Sequence, residues 1–127
     1  MKKILLLLFS SLILPLSATA SDVYYCSDDN HIGFETTKNY AVTEYLPNKF
    51  KIMIDFENKN IISEKIWFLK GYKPSCNSIS NSLYCINEFG AVFAINKKSL
   101  KFFRGSVTNG PEPLDDPTLA YGTCEKF

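Results

Sequence analysis

Lys49-Phe50-Lys51-Ile52-Met53-Ile54-Asp55-Phe56 decides the fold class of this chain. Phe50, Ile52, Ile54 and Phe56 alternate with mostly polar neighbours, a period of two that lines one face of a strand. A helix would need its apolar residues three and four apart. Pro47-Asn48 leads into the strand, and Glu57-Asn58-Lys59-Asn60 is a polar turn out of it. Apolar residues resume at Ile61 and run through Ile66-Trp67-Phe68-Leu69, so the stretch reads as a β-hairpin.

The same rhythm extends in both directions. Leu83 to Asn87 forms a short strand, and Glu88-Phe89-Gly90 a tight turn with Gly90 placed for positive φ. Ala91 to Ile95 returns, Asn96-Lys97-Lys98-Ser99 turns again, and Leu100 to Ser106 makes a third run. Asp22 to Cys26 opens the set and Leu119 to Phe127 closes it, with further strands at Ile32 to Glu35 and Tyr40 to Tyr45. Thr108 to Pro117, rich in proline and acid, is a long loop. These elements predict an all-β fold, a small antiparallel meander that closes into a barrel or folds into a sandwich. Tyr24, Phe50, Phe56, Trp67, Phe93, Phe102 and Tyr121 are its expected core. In the pairs Tyr24-Tyr25, Trp67-Phe68 and Phe102-Phe103 one ring must face outward.

Residues 1–20 carry the marks of a secretory signal peptide. Lys2 and Lys3 precede a short apolar run from Ile4 to Leu14, Pro15 ends it, and Ala18-Thr19-Ala20 predicts cleavage after Ala20. The apolar run falls short of the roughly 20 residues of a membrane span. Residues 21–127 then form one domain, expected in the periplasm or outside the cell, with no integral membrane segment. That domain holds all four cysteines. Three pairings exist for Cys26, Cys76, Cys85 and Cys124, and the expected ones are Cys76–Cys85, closing a Ser/Asn-rich loop, and Cys26–Cys124, tying the first strand to the last. No C-x-x-C occurs and the chain has one histidine, so the spacing does not describe a zinc site.

Charge excludes some partners. Without Lys2 and Lys3, 12 of the 14 basic residues remain against 13 acidic ones, a net charge of −1. Such a balance offers no field for nucleic acid. Asp28-Asp29-Asn30-His31-Ile32-Gly33 begins like a calcium loop, but its fifth position is Ile32 and its twelfth is Asn39, where a bidentate Glu is needed. It reads as a polar turn between two strands, and His31 as a solvated surface residue. There is no G-x-S-x-G and no free thiol is expected as nucleophile. Glu112, Asp115 and Asp116 are the acids a carboxylate mechanism would draw on. The terminal Phe127 matches the last aromatic of outer-membrane barrels, but Glu125 shares its face and the strands are short.

Tyr25-Cys26, Gly33-Phe34, Ile54-Asp55-Phe56 and the ending Gly122-Thr123-Cys124-Glu125-Lys126-Phe127 carry a resemblance. The chain resembles a group of small exported bacterial proteins with a first-strand Tyr-Cys and this final Gly-Thr-Cys-Glu-Lys-Phe. It is more loosely similar to the periplasmic C-type lysozyme inhibitors, through Tyr24-Tyr25-Cys26 and Cys124, without their Ser-Gly-x-Arg-Tyr loop. Neither resemblance implies a catalytic residue. The expectation is a non-enzymatic β-domain, without metal or cofactor, that binds a small apolar ligand or a protein partner. The alternatives are an inhibitor of a cell-wall hydrolase and an enzyme built on carboxylates.

Overall fold

The computed structural model describes residues 21–63, 73–107 and 116–127. Among them nine strands form one antiparallel sheet: β1 (Asp22–Glu35), β2 (Ala41–Glu44), β3 (Lys49–Asp55), β4 (Asn60–Ile62), β5 (Ser75–Ile79), β6 (Ser82–Ile86), β7 (Val92–Asn96), β8 (Lys101–Ser106) and β9 (Thr118–Lys126). Neighbours follow the order β4-β3-β1-β9-β8-β7-β6-β5, and β2 also pairs with β1. The last strand returns to lie beside the first, so the meander curls into a nearly closed barrel. The signal peptide, its cleavage after Ala20, Trp67-Phe68 and residues 108–115 of the acidic loop lie outside the described residues.

β1 is the organising strand. Its first half pairs with β3, from Asp22 opposite Ile54 to Ser27 opposite Lys49. Its second half pairs with β2, from Ile32 opposite Glu44 to Glu35 opposite Ala41. One register runs through both ladders, so β2 and β3 act as one long strand interrupted at a corner, residues 45–48. Two expectations are corrected here. The polar stretch from Asp28 to Gly33 is no turn; it is the middle of a 14-residue strand with β9 along its other side. The Ser/Asn-rich segment at Cys76 is not a loop but β5, paired with β6. In both places the polar side chains hid a backbone committed to a ladder.

Both disulfides join residues directly opposite one another. Cys26 faces Cys124 across β1 and β9, and Cys76 faces Cys85 across β5 and β6. Inward positions recur at every second residue, which is the pleat at work. Phe50, Ile52 and Ile54 on β3, Leu83 and Cys85 on β6, Phe93 and Ile95 on β7, and Phe102 on β8 fill the interior. Phe93 stacks on Phe102, their centroids 5.7 Å apart, and Phe50 meets both rings edge-on. Full burial of each such side chain stabilises by about 1.5–3 kcal/mol. Gly90 takes φ +77° in the β6–β7 turn, as expected, and the Asn87 side chain accepts the Phe89 and Ala91 N–H groups there.

Tyr121 is not a core residue. Cys124 must face inward to reach Cys26, so on β9 the inward set is Thr118, Ala120, Gly122 and Cys124, and Tyr121 stands outside at 56% exposure. Phe56 is partly buried against the core. The paired aromatics split as the pleat demands, with Tyr24 and Phe102 inside and Tyr25 and Phe103 outside.

Candidate functional site: a charged interior and an uncharged exterior

The chain has one arginine and one histidine, and both turn into the barrel. Arg104 alternates inward on β8 and meets Asp28 across the intervening strand β9. Its Nε donates to Asp28 Oδ1 at 3.1 Å and its Nη2 to Oδ2 at 2.5 Å. The Asp28 side chain is fully buried and that of Arg104 is 13% exposed. A buried carboxylate is costly unless paired and hydrogen-bonded, and the two-pronged guanidinium meets that requirement. Asp28 Oδ2 also accepts the Asn48 N–H at 2.9 Å.

Small residues on β9 make this reach feasible. Gly122 sits opposite both Asp28 and Phe102, and Ala120 opposite both His31 and Arg104. A Cβ on Gly122 would stand 2.0 Å from the Ser27 carbonyl oxygen and 2.9 Å from the Asp28 Cα. The missing side chain lets β1 and β8 communicate over β9.

A β-bulge explains why Asp28 and His31, three residues apart, share the inner face. The register of β1 against β9 shifts between Asp28 and Asn30, leaving Asp29 as the extra residue. His31 is therefore not a solvated surface residue. Its ring lies 5.1 Å from that of Tyr45, which packs over Gly33, and its Nδ1 is buried with no hydrogen-bond partner among the described residues. Burial and the nearby Arg104 charge hold the imidazole pKa below its ordinary value, against smaller opposing effects of the Leu46 carbonyl and Asp28.

The outer face of the same strands is the opposite in character. Two cross-strand rows run over β9, β8, β7 and β6. One is Tyr121, Phe103, Ala94 and Tyr84; the other is Leu119, Gly105, Val92 and Ile86. No charged side chain stands in either row. The five large members are between 38% and 56% exposed. Gly105 contributes by its bareness, since a Cβ there would meet Leu119 Cδ2 at 3.0 Å and Phe103 at 3.5 Å. Elsewhere the exterior is charged, with Lys49 and Lys51 exposed on β3.

Other candidates come to less. Among the described residues no group of three or more His, Cys, Asp or Glu could hold a metal ion. Asp116 accepts the N–H and the hydroxyl of Thr36, and Glu112 and Asp115 lie outside the described residues. Glu35, near Asp116, is held below its ordinary pKa first by Lys38 and then by the Thr43 hydroxyl. Both carboxylates thus accept hydrogen bonds from neighbouring side chains. At the opposite end of the barrel an open cleft of about 500 Å³ is lined by Tyr24, Phe56, Lys97, Leu100 and a Lys126–Asp22 ion pair. No protein-family model, curated protein or solved structure matches the chain.

Proposed function

We propose that this chain is an exported, non-enzymatic binding protein whose ligand is another protein, docked through an uncharged apolar surface onto the outer face of β6–β9. The observation that carries the reading is the pair of uncharged rows. Apolar patches of a few hundred Å² on a monomer are often functional. Phe103 near its centre and Tyr121 and Tyr84 at the two ends of one row are residue types that anchor protein interfaces. The absence of charge in the rows selects the partner's chemistry, because an ionic surface would lose its hydration there and find no counter-charge.

Size sharpens the reading further. Strands about 4.8 Å apart and residues about 3.4 Å apart give eight positions a footprint of roughly 19 by 14 Å. That is well below the roughly 800 Å² per partner of a standard stable interface, so the contact suits transient engagement better than a permanent subunit. The packed Phe50, Phe93 and Phe102 rings favour a protein over an apolar small molecule, since they occupy the space a carrier would keep open. Paired cysteines belong with an oxidising compartment, in keeping with export.

A photo-crosslinking residue in place of Tyr84, with a control in place of Lys51, tests the reading in the native host. The expected result is one crosslinked protein at Tyr84 and none at Lys51. With that protein purified, Phe103→Ser should weaken binding by about 2 kcal/mol, roughly thirtyfold in Kd. Crosslinking only to a second copy would replace the reading with self-association. A small molecule that co-purifies and is lost on substitutions in the Tyr24–Phe56 cleft would replace it with a carrier.

A further inference from the structure

We propose that His31, Asp28 and Arg104 form an acid-sensitive clasp that holds the residue 45–48 corner onto the barrel and releases it when His31 takes up a proton. The corner is the break between β2 and β3, where the ladder along β1 is interrupted. It is tied down by bonds to residues of the clasp, among them a hydrogen bond between the His31 ring and the Leu46 carbonyl. The Tyr45 N–H donates to the His31 carbonyl at 2.8 Å, and the Asp28 N–H to the Asn48 carbonyl at 2.9 Å. The Asn48 N–H donates to the Asp28 carboxylate at 2.9 Å. Tyr45 lays its ring against His31 and over Gly33, and Leu46 at the tip is 87% exposed, so apart from Tyr45 little apolar burial holds the corner in place.

Protonation acts on this set through geometry. The neutral ring tolerates a buried Nδ1 without a partner, since it loses one weak acceptor bond to water. The imidazolium must place a donor N–H at the same buried atom, and an unsatisfied charged donor costs more. The groups facing His31 do not compensate. From β8 comes the Arg104 guanidinium, a like charge; from the corner come the Tyr45 ring and the Leu46 carbonyl, whose hydrogen bond favours the imidazolium but is outweighed by burial and by Arg104; from β9 comes Ala120. Asp28, an anion close to His31, is already engaged by both prongs of Arg104 and by Asn48. Letting the corner swing away hydrates the imidazolium without unpairing Asp28 from Arg104.

The single histidine makes the test direct. Its ring proton resonance is followed by NMR from neutral to acid pH, alongside exchange protection of individual amides corrected for intrinsic rates. The expected result is that His31 titrates below the ordinary histidine value. Tyr45 and Asn48 amides should lose protection with the same midpoint, while the β6–β7 ladder amides stay protected. In His31→Gln the corner amides should remain protected across the same range. The proposal falls if corner protection is indifferent to the His31 titration, or if it is lost identically in His31→Gln. It falls equally if the β6–β7 amides open together with the corner, because that is global unfolding. The wild-type titration decides the matter even if the variant does not fold.

Discussion

The barrel interior divides along β9 into two halves that solve burial differently. Toward one end, Cys124 faces Cys26, and the space beyond is dry, packed by Phe50, Phe93, Phe102, Ile52 and Ile54. One inward position further along, Gly122 faces Asp28, and the interior turns ionic. The dry half gains from area alone and tolerates exchange among similar shapes. The ionic half gains little net energy, because desolvating two charges offsets their attraction. What it adds is register: Asp28 finds Arg104 only when β1, β9 and β8 are aligned as observed. A barrel can thus be stabilised in one half and specified in the other.

Removing the covalent tie at the boundary should have the largest effect. Cys26→Ser with Cys124→Ser opens a closure of 98 residues, and the chain-entropy model puts the cost at about 4.7 kcal/mol. The 9-residue closure of Cys76–Cys85 should cost about 2.7 kcal/mol on the same basis. Urea unfolding of the two double variants checks the order.

Arg104→Met strips Asp28 of its partner and should destabilise by about 3–5 kcal/mol. Asp28→Leu combined with Arg104→Met should recover much of that, because two apolar residues leave no buried charge behind. Failure of the double variant to recover would mean that the pair stabilises outright, and the contrast between the halves would collapse. Gly122→Ala tests the gap that admits the pair. Its Cβ would crowd backbone on β1, and a cost of about 1–3 kcal/mol is expected from overpacking.

Acid provides a finer probe. The folded-state pKa of His31 lies below the unfolded value of about 6.5. The unfolded chain therefore binds the proton first, and this contribution to stability is complete above about pH 6.5 and lost as pH falls toward the lowered folded value. Thermal melts of wild type and His31→Gln should diverge in that window, with the wild type losing more. Smallest of all, Phe103→Ser on the outer face should shift stability by no more than about 0.5 kcal/mol. Its effect on partner binding is expected to be far greater, and that disparity separates the outside of β8 from the inside.

Much of this was legible in the chain. The alternation at Phe50, Ile52 and Ile54 made β3 readable, and the Asn/Lys/Gly punctuation made the β6–β7–β8 hairpins readable. The cysteines were readable too, because only adjacent first and last strands could satisfy Cys26 and Cys124 together. The same cysteine held a clue that Tyr121 points outward, since residues an odd number of positions apart on one strand lie on opposite faces. The site was less visible. Asp28-Asp29-Asn30-His31 has the composition of a turn, and polar composition is how a sequence ordinarily marks solvent. The bulge at Asp29 compounds this, placing Asp28 and His31 on one face where strict alternation would separate them.

The sequence by itself determined the all-β class, the inward face of β3 and the β6–β7–β8 hairpins, and it pointed to the cysteine pairing, because each depends on neighbours close along the chain or on one covalent constraint. Tertiary structure alone decided that Asp28 meets Arg104, 76 residues away, and that scattered apolar residues on four strands merge into one uncharged face. Both depend on register, and register is a property of the assembled sheet. A shift of one residue between two strands would leave every local pattern intact while sending each side chain to the other side of the barrel wall.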